Sequence, residues 1–143
     1  VSSSSSGQIP TNEAPAPPTV RTDAETNVGI TSATLNGNVS ALGGSSITAR
    51  GFAWGTDSSF ATHTATTTES GSFGTGTFSQ GVSGLLSGVT YYFRAYATNS
   101  TGTGYGGSDN FTAGTDTTPS RVIRLFEGFL IKLFSGKFKL LQR

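Results

Sequence analysis

The chain of 143 residues contains no cysteine, no methionine and a single histidine, His63. Without cysteine it can form neither a disulfide framework nor a thiolate site. Without cysteine or a second histidine, the usual nucleophile and zinc arrangements have no candidate residues. His63 lies in a run of threonines and is expected to be an exposed strand residue. We therefore expect no catalytic residue, no metal site and no cofactor, and the sequence predicts a protein that is not an enzyme.

Long apolar runs are also missing. No stretch of 18 consecutive apolar residues occurs, which argues against a membrane-spanning helix. Glycine is abundant instead, at 20 of 143 residues, together with serine and threonine, while charged residues make up only 12%. This composition is typical of a turn-rich, all-β protein.

The clearest strand signal lies between residues 85 and 99, where β-forming residues dominate and proline is absent. The pattern has a period of two, as in a β-strand. The apolar side carries Tyr91, Phe93, Ala95 and Ala97. The amphipathic side carries Tyr92, Arg94, Tyr96 and Thr98. The first residues of this stretch, from Leu85 to Gly88, are expected to form a turn that leads into the strand.

That turn and three other stretches resemble a known family. Leu85, Ser87-Gly88 and Tyr91 resemble the corner of fibronectin type III domains, where a tyrosine hydroxyl bonds back to the upstream backbone. The family usually has proline where Ser87 stands. Residues 31–39, 50–55 and 92–104 resemble the second, third and sixth strands of fibronectin-type repeats from bacterial surface proteins. The resemblance covers about residues 18–115 and implies one immunoglobulin-like β-sandwich.

We therefore predict an all-β chain in three parts. Residues 1–18, rich in serine and proline, are expected to form an extended segment or linker. Residues 19–115 are expected to form a single fibronectin type III-like antiparallel β-sandwich, in which the resemblance places Phe52 and Trp54 inward. Residues 116–143 comprise a hinge and a basic, apolar C-terminal segment.

Within the sandwich, several elements can be placed. A short first strand is expected over residues 19–22, and a threonine-rich edge strand over residues 62–68. Apolar and polar residues alternate over residues 32–39, which predicts a half-buried strand with Leu35 on its apolar side. The glycines of residues 102–107 are expected to form a loop.

The C-terminal segment differs sharply in charge from the rest of the chain. Residues 1–120 contain three basic and seven acidic side chains, a net charge of −4, whereas residues 121–143 contain six basic and one acidic, a net charge of +5. Its apolar residues fit a β-hairpin or meander that turns at Ser135-Gly136, and they also fit an amphipathic helix. Two glycines and several β-branched residues favour the strands.

An apolar segment of this kind exposes too much hydrophobic surface to stay in water. The opposite charges of the two parts favour packing of the segment on its own sandwich or on that of another copy. Of these we expect association between copies, in a homo-oligomer or polymer. Contact of the C-terminal segment with a membrane is an alternative. The acidic remainder argues against a nucleic-acid partner. The candidate self-association residues are Val122, Leu125, Phe126, Phe129, Ile131, Leu133, Phe138 and Leu140.

Two functions are consistent with these patterns. The first is a secreted structural subunit of an extracellular or cell-surface assembly, filament-like, that self-associates through its terminal segments. The alternative is an adhesive or carbohydrate- or protein-binding accessory module, anchored by its C-terminal segment. If Trp54 faced outward, it would join Tyr92, Arg94 and Tyr96 in a flat platform for the rings of a glycan.

Overall fold

The computed structural model describes residues 14–62 and 64–117, which fold into two antiparallel β-sheets. The eight strands are β1 (Thr19–Thr26), β2 (Ser32–Ala41), β3 (Ile47–Gly55), β4 (Thr64–Phe73), β5 (Gly76–Ser83), β6 (Thr90–Thr98), β7 (Thr103–Tyr105) and β8 (Asp109–Thr112). One sheet has the order β1-β2-β5, and the other has the order β4-β3-β6-β7, with β8 also pairing with β6. The described part of the chain is thus the predicted all-β sandwich.

The core lies between the two sheets, where the alternating residues of each strand meet. All four residues predicted on the apolar side of β6 are at most 6% exposed. Phe52 of β3 and Phe78 of β5 meet across the sheets, with ring centroids 5.1 Å apart. Phe52 is fully buried, and Trp54 packs against the edge of the core. Both side chains therefore point inward, as the resemblance implied.

The predicted tyrosine corner is present. The Tyr91 hydroxyl accepts a hydrogen bond of 2.9 Å from the backbone N–H of Leu86. Gly88 has a φ of +73°, a conformation that favours glycine, so the chain turns here without the proline usual in the family. The hydroxyl of Ser87, which stands in its place, accepts a hydrogen bond from the backbone N–H of Asp116. The corner thereby also holds the end of the described chain.

Two strands are longer than the sequence pattern indicated. The first was expected over residues 19–22 and extends to Thr26, and the threonine-rich strand was expected over residues 62–68 and extends to Phe73. Apart from Phe73 the additional residues are polar or small, so they carry no hydrophobic alternation. Pairing with β2 and with β3 orders them instead.

One strand lies where a loop was predicted. β7 consists of three residues among the glycines that follow β6, and it pairs with residues 96–98. A Cβ atom at Gly104 would collide with the backbone carbonyl of Pro18, so glycine lets β7 approach the start of β1. Close by, the Thr22 hydroxyl of β1 accepts a hydrogen bond of 3.0 Å from the backbone N–H of Ala95 in β6. These contacts close one lateral side of the sandwich.

On the opposite lateral side, β4 and β5 are the outer strands of their sheets. Arg50 covers the core there: its guanidinium lies 4.1 Å from the ring centroid of Phe73 and 5.1 Å from that of Phe78. It also forms an ion pair of 2.9 Å with Glu69 on β4. One charged side chain thus seals the gap between the two sheets by cation–π contacts.

Residues 1–13, His63 and residues 118–143 lie outside the described residues. The predictions made for the first and last parts of the chain, and for His63, remain predictions. Within the described ranges, no helix has the length and apolar character needed to cross a membrane.

Candidate functional site

The predicted sites fall in different places. All eight candidate self-association residues, from Val122 to Leu140, lie outside the described residues. Trp54 lies on the inner side of β3, with its ring centroid 5.8 Å from that of Tyr91. Tyr92, Arg94 and Tyr96 alternate with the buried residues of β6 and point to the outer side of the same sheet. Trp54 therefore does not share a face with the other three.

The outer side of the five-stranded sheet nevertheless carries a cluster built around Arg94. Its guanidinium carbon lies 4.2 Å from the ring centroid of Tyr105 and 4.5 Å from that of Phe60. The rings of Tyr96 and Tyr105 are also in contact, with centroids 6.1 Å apart. We call Phe60, Arg94, Tyr96 and Tyr105 the outer cluster.

Small residues on the neighbouring strand position this cluster. Ala53 pairs with Arg94, and Gly51 pairs with Tyr96. A Cβ atom at Gly51 would collide with the backbone carbonyl of Thr67 and lie 3.1 Å from the Tyr96 hydroxyl, so glycine leaves room for both groups. The Tyr96 hydroxyl donates to this carbonyl of Thr67 on β4, at 2.9 Å. The Tyr96 ring consequently crosses β3 and lies close to the sheet.

Phe60 reaches the cluster from the loop between β3 and β4. Its φ of +57° is unusual for a residue with a bulky side chain. The carboxylate of Asp57 orders this loop, because it accepts hydrogen bonds from the hydroxyl and backbone N–H of Ser59 and from the same two groups of Thr62. These bonds, above all that of the Ser59 hydroxyl, hold the pKa of Asp57 well below its usual range.

A second candidate surface lies at the end of the sandwich where the described chain stops. Here the backbone N–H of Gly114 donates to the carbonyl of Gly29, at 2.9 Å, and the backbone N–H of Asp116 donates to the hydroxyl of Ser87.

We call the loops 27–31 and 84–89, with residues 113–117, the C-terminal pole. Three of the four large hydrophobic side chains exposed among the described residues belong to it: Val28, Ile30 and Leu86, at 39, 42 and 66%.

The opposite end is polar and tightly bonded. We call residues 14–18, with the loops 42–46 and 99–102, the N-terminal pole. Asn99 is 5% exposed, and its amide donates to the carbonyls of Ala16 and Leu42, both at 2.8 Å. Its side-chain oxygen accepts from the backbone N–H groups of Thr101 and Gly102. One buried side chain thus ties the incoming segment to both loops.

The described residues gather no group of three histidine, aspartate or glutamate side chains that could hold a metal ion. The two surfaces offer different groups: a cation in contact with two aromatic rings at one, and exposed aliphatic side chains at the other.

Sequence reasoning missed Phe60, Tyr105 and the three apolar residues of the C-terminal pole. A signal existed for Tyr105, which is a single aromatic residue between glycines of an otherwise polar loop. Val28, Ile30 and Leu86 lie in turns, where no periodic pattern indicates which side chains are covered. Phe60 belongs to a short polar loop whose fold depends on Asp57.

No protein-family model matches this sequence, and no curated protein matches it either. Solved structures do. A short form of the sensor domain of the anti-sigma factor RsgI4 from Pseudobacteroides cellulosolvens superposes with a TM-score of 0.57 at 16% identity, over 71% of this chain and 98% of that one. The fibronectin type III domain of human fibronectin type III domain containing protein 3 gives 0.52 at 20% identity, over 74% and 94%.

These likenesses show the fold, and the fold prediction is confirmed: the described residues form a fibronectin type III-like β-sandwich. A sandwich of this kind fits a structural module or a binding module, since its function is determined by the surfaces it presents.

Proposed function

We propose that this chain is a structural subunit that acts outside the cell or at its surface, has no catalytic activity and self-associates through its terminal segments. The observation that carries the proposal is the apolar C-terminal pole, which lies where the chain continues into its most apolar and most basic segment. The resemblance to repeats of bacterial surface proteins supports the extracellular location.

The two terminal segments begin at opposite ends of the sandwich. Residue 16 is bonded to Gly43 and Asn99 at the N-terminal pole, whereas residue 114 is bonded to Gly29 at the C-terminal pole. Strands of nine or ten residues separate the poles by about 30 Å. Segments that leave from opposite ends suit end-to-end contact between copies, and such a contact extends into a filament when it does not close on itself.

The C-terminal pole can supply the attractive force for this contact. Val28, Ile30 and Leu86 add exposed apolar area next to a segment that itself needs to be covered. The segment has a net charge of +5 and the rest of the chain −4, so a neighbour's sandwich attracts it electrostatically. Burial of the segment against a neighbour's sandwich would cover the apolar area and bring the opposite charges together.

A second feature supports association. β4 is ten residues long and forms the outer edge of its sheet, with Glu69 as its only charged residue. Long edge strands without lysine or proline offer unpaired backbone groups to an added strand. If the C-terminal segment is a strand, β4 of a neighbour is a surface to which it can pair.

The test compares the full chain with a form that lacks residues 121–143 and with the double variant Ile30→Ser/Leu86→Ser. Sedimentation velocity gives the mass distribution, and negative-stain electron microscopy shows whether filaments form. We expect the full chain to form oligomers or filaments, the deletion to yield monomers, and the double variant to shift the distribution towards monomers.

Tyr105→Ser provides the matched control, because Tyr105 is the fourth exposed large hydrophobic residue and lies away from both poles. It should associate like the unmodified chain. A monomeric full chain, or a deletion form with unchanged mass, would refute the proposal.

A second candidate function is a glycan-binding or adhesive module, and the outer cluster is the observation that favours it. Three of the four residues of the predicted platform share the outer face, and Phe60 and Tyr105 extend it. A glycan array probed with the full chain and with Tyr105→Ala tests this candidate. Glycan signals that disappear in the variant support it, and an array without signals counts against it.

A further inference from the structure

Arg94 differs from the other two arginines of the described residues in having no anionic partner. Arg21 forms an ion pair with Asp23, and Arg50 forms one with Glu69. Within residues 14–62 and 64–117, no carboxylate lies within ion-pair distance of Arg94, and its Nε is buried without a hydrogen-bond partner. Its positive charge is therefore left to the aromatic rings alone.

The two rings restrict how a ligand can approach this guanidinium. The rings of Phe60 and Tyr105 contact Arg94 at 4.5 and 4.2 Å from its central carbon and help to hold the side chain in place. Such contacts stabilise the charge, but they do not accept the in-plane N–H bonds of the guanidinium. Because Nε is buried, the N–H groups left for a ligand are those of the two terminal Nη atoms. A planar anion with two oxygens matches this pair by two parallel hydrogen bonds.

Asp57, an acidic residue of the β3–β4 loop, does not pair with the guanidinium of Arg94. Asp57 belongs to the same loop as Phe60, but its two oxygens already accept four hydrogen bonds from Ser59 and Thr62. The bonds that lower its pKa also keep its carboxylate directed into its own loop.

We propose that the outer cluster binds an acidic glycan, with the carboxylate of a uronic acid on Arg94 and the sugar ring against Tyr105. The inference rests on the glycan-binding candidate above and specifies its ligand. Tyr105 is 52% exposed, so it retains aromatic area for an apolar sugar face.

The test uses isothermal titration calorimetry on the full chain with three probes: an oligomer of galacturonic acid, its methyl ester, and a neutral glucose oligomer of equal length. The ester replaces each charged carboxylate by a neutral methyl ester and keeps the same sugar rings and linkages. We expect the acid to bind at least about tenfold more tightly than the ester, as one bidentate charged pair predicts. Because this comparison uses unmodified protein, it does not depend on whether a variant folds.

Three variants locate the interaction. Arg94→Gln should lose the preference for the acid, Arg94→Lys should retain only part of it, and the control Arg21→Gln should bind as the unmodified chain does. Circular dichroism verifies the fold of each. Equal affinity for acid and ester overturns the inference while leaving glycan binding intact, and no binding of any probe overturns both. An acidic peptide that binds the cluster while the glycan does not also overturns it.

Discussion

The two poles of the sandwich differ in how they close the core. Each must close the open end of a two-sheet core where a terminal segment joins it. At the N-terminal pole the buried Asn99 makes four hydrogen bonds to the incoming segment and two loops. At the C-terminal pole the outgoing backbone is bonded at Gly29 and Ser87, yet three large apolar side chains stay exposed.

The two ends differ in what they leave exposed among the described residues. At the N-terminal pole, the four backbone groups that Asn99 binds have their partner inside the sandwich. The apolar side chains of the C-terminal pole lack cover from the described chain, and apolar area can be covered by any surface of suitable shape. This contrast motivates placing the contact between copies at the C-terminal pole.

The largest effect is expected from Asn99→Ala at the N-terminal pole. The substitution leaves two backbone carbonyls and two N–H groups without their partner, and we expect it to lower the free energy of unfolding by about 2 to 4 kcal/mol. Urea unfolding at one protein concentration measures it. Asn110→Ala is the control, because Asn110 is exposed, and it should change stability by less than about 0.5 kcal/mol. Equal effects of the two substitutions would contradict the role given to Asn99.

An intermediate effect is expected from Tyr91→Phe near the C-terminal pole. It removes only the hydroxyl that accepts from Leu86, in a side chain that is 6% exposed, which should cost about 1 to 2 kcal/mol. Tyr105→Phe removes an exposed hydroxyl and should be close to neutral. If Tyr91→Phe were equally neutral in urea unfolding, the corner would not contribute to holding this pole.

The smallest effect is expected from Asp57→Ala in the solvent-accessible loop. The substitution should lower the Tm at neutral pH, and the size of this decrease should depend on pH. The folded chain lowers the pKa of Asp57, so its carboxylate stabilises the fold fully above the ordinary aspartate pKa of about 4 and loses this effect as the pH falls towards the folded value. The difference in Tm between the two proteins should be constant from pH 7 to about 5 and shrink below about 4. A difference in Tm that grows on acidification would contradict the claim that folding lowers the pKa of Asp57.

Much of the fold could be predicted because burial follows a period of two. The alternation in β2 and β6 identified the inward residues Leu35 and Phe93, both of which are fully buried. The corner at Tyr91 was implied by the resemblance of Leu85, Ser87-Gly88 and Tyr91 to that of fibronectin type III domains, even without the usual proline. β7 was not identified, because its three residues include a glycine and pair only where β6 and β1 already lie close.

The candidate sites were less accessible to sequence reasoning. Tyr92, Arg94 and Tyr96 share one face because they alternate along one strand, which a period of two already indicates. Phe60 is 34 residues from Arg94, and the two meet only because Asp57 orders the β3–β4 loop. Trp54 was assigned to the platform only on the condition that it faced outward, and its contact with Tyr91 places it inside.

By itself, the sequence determined that this chain forms strands, which side of each is apolar, and that its charge and hydrophobicity concentrate in the last 23 residues. These properties are local, since alternation and composition depend only on neighbours along the chain. Only the tertiary structure decided that Arg94 lies between two aromatic rings and that Val28, Ile30 and Leu86 share one pole. Those juxtapositions depend on how loops distant in sequence pack, and no short-range pattern encodes that packing.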